Sequence, residues 1–269
     1  MPTLRYGIEI ETLVPEDSDL AIGLYHRGIQ VPYLPEGWTA EFDRSIVGYG
    51  GQPCEIVSPI LQGAEGLRQV MQVAELLRQH GHWVNASCGV HVHVGWSYNY
   101  GRRELRRLIT VVAYAERALY AITGTRRREW GEYCCGVRGY GRYSAACSAM
   151  LRDRYHLLNI ANLRAGTKRT VEFRVFSGSL NPVKLVGWIQ VSLGLVERAL
   201  DSKRAPPWFP TLITDRARAG QLETKRLLAF LGWTKRNGHP RYGWIADVVP
   251  LETVIAELRR LARQYDSMQ

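Results

Sequence analysis

The stretch Gly7-Ile8-Glu9-Ile10-Glu11 alternates isoleucine with glutamate. Successive side chains of a β-strand point to opposite faces. A strand here sets Glu9 and Glu11 on one face, about 6.6 Å apart, and the isoleucines on the other. At that spacing two carboxylates repel by roughly 2–3 kcal/mol at an effective dielectric near 20. Water relieves the repulsion on a solvated face; a bound cation reverses it. The pattern recurs in Val90-His91-Val92-His93-Val94 and in Val171-Glu172-Phe173-Arg174-Val175. Three such strands predict one sheet with an apolar side under helices and a charged side available for chemistry.

Working outward, the first strand runs over 4–14. Residues 15–36, with Pro15, Pro32 and Pro35, read as an irregular loop or flap. Trp38 to Ser45 and Cys54 to Ser58 predict a hairpin around the Val47–Gln52 turn. From Gly63 to about His80 the period becomes helical, with Leu67, Val70, Met71, Ala74 and Leu77 on one stripe. Strands at 82–85 and 89–95 and a helix over 102–122 follow. Residues 124–150 lack a clear period. Their glycine-rich, aromatic, basic composition reads as a lid over the sheet or a plain surface excursion. A further hairpin spans Tyr155 to Leu163 and Thr170 to Phe176, and Asn181-Pro182 opens a helix over 183–200. Pro206 to Pro210 breaks the chain before helices near 219–232 and 250–265. This order predicts an α+β fold: a mainly antiparallel sheet with helices packed on one face. Residues 1–204 form the main domain, and residues 205–269 a helical C-terminal extension.

The 269 residues suffice for one large domain with an appendage. No stretch reaches the ~18 apolar residues that span a bilayer, and no apolar leader precedes the first strand. A cytoplasmic protein without a membrane anchor is expected. Five cysteines with no Cys-x-x-Cys pair argue against a disulfide framework or a four-thiolate zinc site. A net charge of +10 favours anionic partners. The basic residues are scattered, as in Arg102-Arg103, Arg106-Arg107 and Arg126-Arg127-Arg128. No zinc-finger or RNP signature accompanies them. Nucleic-acid binding and a merely solvated basic surface both stay open.

The predicted polar face offers carboxylates at Glu9, Glu11, Glu55 and Glu172, imidazoles at His91 and His93, and a guanidinium at Arg174. Glu41 and Asp43 lie nearby on the second strand. Oxygen-rich sites with an imidazole suit Mg2+ or Mn2+ better than Zn2+. Divalent ions among carboxylates, with an arginine alongside, form a clamp for phosphate.

Five ordered blocks carry a resemblance to a known family. They are Tyr6 to Glu11, Asp43 to Ile46, Glu55 to Pro59, Gly89 to Gly95, and Thr170 to Asn181. Together they resemble the amidoligase family of the carboxylate–amine ligase superfamily, which includes glutamine synthetase and gamma-glutamylcysteine ligase. The resemblance runs from residue 5 to about 200. It implies a curved, glutamine-synthetase-like sheet lined by Glu-x-Glu, His-x-His and Glu-x-Arg strands, within a catalytic domain over 1–204. Glu9, Glu11, Glu55, His91 and Glu172 would then be metal ligands. His93 would face the acceptor and Arg174 would hold the transferred phosphate, with Glu172 beside it. Arg154 and Asn159 would bind substrate or nucleotide phosphate. The implied reaction uses ATP and Mg2+ or Mn2+ to join a small-molecule or peptide carboxylate to an amine through an acyl phosphate.

Blander readings stand beside these. Glu9 and Glu11 alone suit the wet face of an edge strand, and Glu172 and Arg174 an exposed ion pair of little worth. Asp43 suits a turn residue, and Cys88 a core position. Two rival functions also remain: a basic nucleic-acid-binding protein with a structural sheet, and a metal-dependent hydrolase using the same side chains.

Overall fold

In the computed structural model, which describes residues 4–165, 169–203, 219–234 and 241–268, the alternation around Glu9 forms β1 (Arg5–Val14). The chain continues through β2 (Ile29–Gln30), β3 (Thr39–Glu41), β4 (Gln52–Val57), β5 (Leu61–Gln62), α1 (Gly63–Gln79), β6 (Gly89–Gly95) and α2 (Arg102–Ala121). Two short helices follow, α3 (Arg127–Trp130) and α4 (Tyr143–Arg152). Then come β7 (Leu158–Asn159), α5 (Ala161–Ala165), β8 (Thr170–Ser177), α6 (Pro182–Asp201), α7 (Ala219–Phe230) and α8 (Leu251–Ser267).

The strands make one sheet in the order β2-β3-β4-β1-β6-β8-β7, with β5 on the start of β1. All of these pairings are antiparallel. The expected α+β architecture is therefore present, with β1 near the middle. Ile8, Ile10, Ile56, Val90, Val92 and Phe173 turn to the apolar face and are fully buried. Each such side chain stabilises the fold by about 1.5–3 kcal/mol relative to exposure. Helices α1 and α6 pack together under this face, α2 and α8 pack against α6, and α7 packs on α2 and α8. Asn181 caps α6 by accepting from the Lys184 amide at 3.1 Å, and Pro182 occupies its first turn. The indole of Trp188 on α6 stacks on Phe176 of β8 at 5.1 Å.

Several boundaries differ from the sequence expectation, each for a local polar reason. The strand expected over 38–45 stops at Glu41, because the Asp43 carboxylate accepts from the Ser45 amide at 2.7 Å and turns the chain. Residues 82–85 keep one bridge, Trp83 to Leu13. There the Asn85 side chain accepts from the Ser87 amide at 2.8 Å, which sets a turn instead of a strand. The 155–163 strand shrinks to β7 and gives way to α5. Residues 124–150 are not a loop but contain α3, α4 and two 3-10 turns. Their order comes from polar contacts with α2. Glu116 accepts from the Val137 and Arg138 amides, and Tyr120 donates to the Cys134 carbonyl. Cys88 is buried against Leu13 and Ile46, as a core residue would be. Pro206 to Pro210 lie outside the described residues.

A buried histidine ties the flap to the sheet. The Thr12 hydroxyl donates to the Cys54 carbonyl at 3.1 Å, so it accepts from His82 Nδ1 at 3.0 Å. His82 Nε2 then accepts from the Tyr33 hydroxyl at 2.6 Å. Burial, reinforced by His80, pushes the His82 pKa from 6.5 down to about 4. Above pH 6.5 the ring is neutral in both folded and unfolded chains. Below it, the unfolded chain takes up a proton that the folded chain refuses until about pH 4, so stability falls across that window. The loss should approach about 3 kcal/mol at its lower end. Urea midpoints measured between pH 7 and pH 4 should record this slope, and His82→Gln should flatten it.

Candidate active site

Strand register builds the site one row at a time. Glu41 of β3 stands opposite Glu55 of β4, which stands opposite Glu11 of β1. In the next row Glu9 of β1 faces His91 of β6. In the third, His93 of β6 faces Glu172 of β8, which faces Asn159 of β7. Period-2 alternation turns these side chains to the face opposite the isoleucines.

His91 sits at the centre. Its Nδ1 lies 3.2 Å from Glu9, 3.6 Å from Glu172 and 3.8 Å from Glu55, and its Nε2 lies 3.4 Å from Glu11. His93 Nε2 is 3.1 Å from Glu9. Glu11, Glu55, His91 and Glu172 are all buried. One imidazole cannot neutralise four carboxylates, so the cluster calls for additional positive charge. Arg174 supplies part of it, donating to Glu172 at 2.5 Å in a buried pair. Asn159 donates to the other Glu172 oxygen at 2.6 Å and accepts from the Ala161 amide. Glu11 lies deeper than the rest, taking the Gly89 amide at 2.5 Å.

The charges divide accordingly. Burial works to raise the Glu9 carboxyl, but His93 and His91 outweigh it and hold the group well below its ordinary range. Glu172 is lowered in the same way: burial opposes ionisation, while His93, Arg174 and His91 favour it. Glu55 has no such help. Burial pushes it well up, and Glu9, Glu11, Asp43 and Glu41 push it further.

A cavity of about 750 Å³ opens over this cup. Glu9, Glu41, Glu55, Glu172 and Arg174 form its floor, and Tyr25 and His26 of the flap one wall. Arg154 stands at the mouth and donates to the Tyr25 hydroxyl at 2.7 Å. A side chamber of about 670 Å³ shares Asp43, Arg154 and Arg174 and adds Arg44, Tyr133 and Tyr155. Beyond Glu9 and His93 lies a mainly apolar groove of about 490 Å³, closed by Val57, Pro59, Ile60 and Arg169.

Two sets of three side chains have donor atoms within 4.8 Å of one another: Glu9, His91 and Glu172, and Glu11, Glu55 and His91. Carboxylate oxygens with one imidazole fit a hard divalent cation. The buried Nε of Arg174 has no acceptor among the described residues, which fits an anionic group beside the cation. All nine residues singled out from the sequence meet on this face or at its rim. Glu41 and the flap residues Tyr25 and His26 join them. Glu41 shares the parity of Glu55 across a readable hairpin, so alternation could have found it. Nothing periodic marks Tyr25 or His26. From the segment expected as a lid, Tyr133 lines the side chamber.

Residues 2–139, just over half of the chain, match the family model described as "Putative amidoligase enzyme". The match ends before β8. A glutamine synthase homologue of known structure is similar at a TM-score of 0.49 and 19% identity, over 96% of this chain and 66% of that one. The ligase PafA in complex with the prokaryotic ubiquitin-like protein Pup gives a TM-score of 0.47 and 10% identity over 98% and 65%. A GmaS–ADP complex gives 0.41 and 14% over 98% and 68%. The chain thus spans about two-thirds of the length of these solved chains. Comparison with curated proteins gave no match. No helix among the described residues is long and apolar enough to cross a membrane.

The cup predicts opposite effects from one substitution. Without divalent cation, Glu55→Gln should raise the melting temperature, because it removes a carboxylate that folding forces to hold a proton. With Mg2+ or Mn2+ at about 100 times Kd, the native protein should gain about 2.7 kcal/mol. The variant should gain much less. Melting curves with EDTA and with each metal check both arms.

Proposed function

The chain belongs to the amidoligase family, and from that premise we propose that it joins a carboxylate to an amine, using ATP, with Mg2+ or Mn2+ held in the acidic cup. The observation that carries this reading is the convergence of Glu9, Glu11, Glu55 and Glu172 on His91, beside an Arg174 whose Nε lacks an acceptor. Such a donor set suits hard cations and the phosphate oxygens they bridge. A bound nucleotide supplies the phosphoryl group that turns a poor carboxylate oxygen into a good leaving group.

The remaining work falls to the chain. Arg174, held by Glu172, binds the phosphate being transferred, and Arg154 at the mouth assists it. Fixed positive charge acts strongly there because the cavity floor excludes bulk water. Asn159 keeps Glu172 turned toward Arg174. His93, paired with Glu9, faces the incoming amine. The apolar groove next to Glu9 and His93 suits a flat base, and the 750 Å³ cavity suits a small-molecule or peptide acid and its amine partner.

The test is a pool of acids and amines incubated with ATP and Mg2+. Mass spectrometry should find a product lighter than its two parents by one water. Glu9→Gln and Glu172→Gln should each lower metal-dependent ADP release by about 100-fold or more. Unchanged release in both variants defeats the proposal, and bond cleavage without nucleotide points to a hydrolase instead.

A further inference from the structure

Besides Tyr133 in the side chamber, the segment after α2 reaches the site through the guanidinium of Arg128. Strand β8 carries a bulge: Val92 faces Phe173 and Val90 faces Phe176, so Arg174 and Val175 together stand opposite His91 alone. A bulge interrupts the ladder, and the carbonyls at its two residues need other donors. Arg128 supplies them. Its Nη2 donates to the Arg174 carbonyl and its Nε to the Val175 carbonyl at 3.3 Å. The rigid fork of a guanidinium can serve two successive carbonyls at once; a lysine ammonium has no such shape.

The same guanidinium lies against Gly89 of β6. A Cβ at that position would sit 3.0 Å from Nη2 and 3.2 Å from Nη1, so a larger residue would push the guanidinium a few tenths of an ångström off its two carbonyls. Gly89 is also the residue whose amide holds the Glu11 carboxylate. Arg128 therefore holds the backbone of Arg174 itself and lies against Gly89, the residue that anchors Glu11.

We propose that Arg128 is a positioning residue: by clamping the β8 bulge it fixes the direction in which the Arg174 guanidinium enters the cavity. The inference rests on the reading of Arg174 as the group that holds the transferred phosphate. It assigns a role to the Arg126-Arg127-Arg128 run, which the metal cup leaves unused. Neighbouring Arg127 is exposed.

The probe is ADP with aluminium fluoride and Mg2+, measured by calorimetry, with Mn2+ binding followed separately by electron paramagnetic resonance. Arg128→Lys should weaken aluminium fluoride–ADP binding by about ten-fold or more, the worth of a hydrogen bond to a charged group. Mn2+ affinity should change by less than about two-fold, because no cation ligand lies on β8 beyond Glu172. Guanidinium ion at millimolar concentration should restore part of the binding in Arg128→Ala, which a global loss of structure would not allow. Gly89→Ala should reproduce the loss in the native background and add nothing in Arg128→Ala. If Arg128→Lys binds the probe as the native protein does, or if Mn2+ affinity falls in parallel, Arg128 is only a structural clamp and the inference is overturned. If the native protein itself does not bind the probe, the reading of Arg174 fails and the inference with it.

Discussion

Four carboxylates crowded around one buried imidazole, three of them buried as well, make an arrangement that the fold must actively hold together. In water these groups would move apart. Here they cannot, because each is fixed to a strand whose other face is locked into the core. Ile8 and Ile10 alternate with Glu9 and Glu11, and Val90 and Val92 flank His91. The hydrophobic burial that orders the sheet is the same act that crowds the charges. Repulsion among them is stored in the native state, and the strongly raised Glu55 carboxyl, driven by burial and then by four acidic neighbours, is where that storage is visible. A divalent cation held among these carboxylates would relieve it.

The guanidinium end of the cup is built differently. Arg174 shares the parity of Glu172, but alternation breaks immediately after it, where the bulge in β8 adds a residue opposite His91. One consequence is that Phe173 and Phe176, three residues apart, both return to the apolar face, where Phe176 stacks on Trp188. Bulges re-aim side chains at the expense of ladder hydrogen bonds. That expense is met by Arg128, whose donors replace the missing strand partner.

These two modes explain what the sequence revealed and what it hid. Period-2 alternation of charged with β-branched residues is legible, so Glu9, Glu11, His91, His93, Glu172 and Arg174 were found with their common face. The helices over 63–79, 102–121 and 182–201 were legible for the matching reason, an apolar stripe at helical spacing. Glu41 was legible only as a neighbour of the site, because β3 is three residues long and its register depends on pairing with β4. The flap and the 124–150 segment were opaque. Their conformation is set by partners far away in the chain, such as Glu116 for the 137–138 amides and His82 for Tyr33. The bulge was opaque too: one inserted residue leaves no compositional mark.

Net charge proved a poor guide to the site, and the reason is distance. The chain carries +10, yet the cup brings Glu9, Glu11, Glu41, Glu55 and Glu172 together around His91, His93 and Arg174. Arginines such as Arg102, Arg103 and Arg106 sit exposed on α2, where solvent and salt screen them beyond about 8–10 Å. The site's carboxylates meet each other at short range in a buried floor, where the effective dielectric is lower and each contact counts for more. The field felt by a ligand in the cavity is therefore governed by a handful of strand-held groups and not by the charge that composition sums over the whole chain. An anion entering alone meets the carboxylates; an anion entering with a divalent cation meets a compensated floor and a guanidinium with a free Nε donor. On the proposed function, that asymmetry would make cation and anion mutually dependent ligands of one face, the electrostatic setting that phosphate chemistry requires.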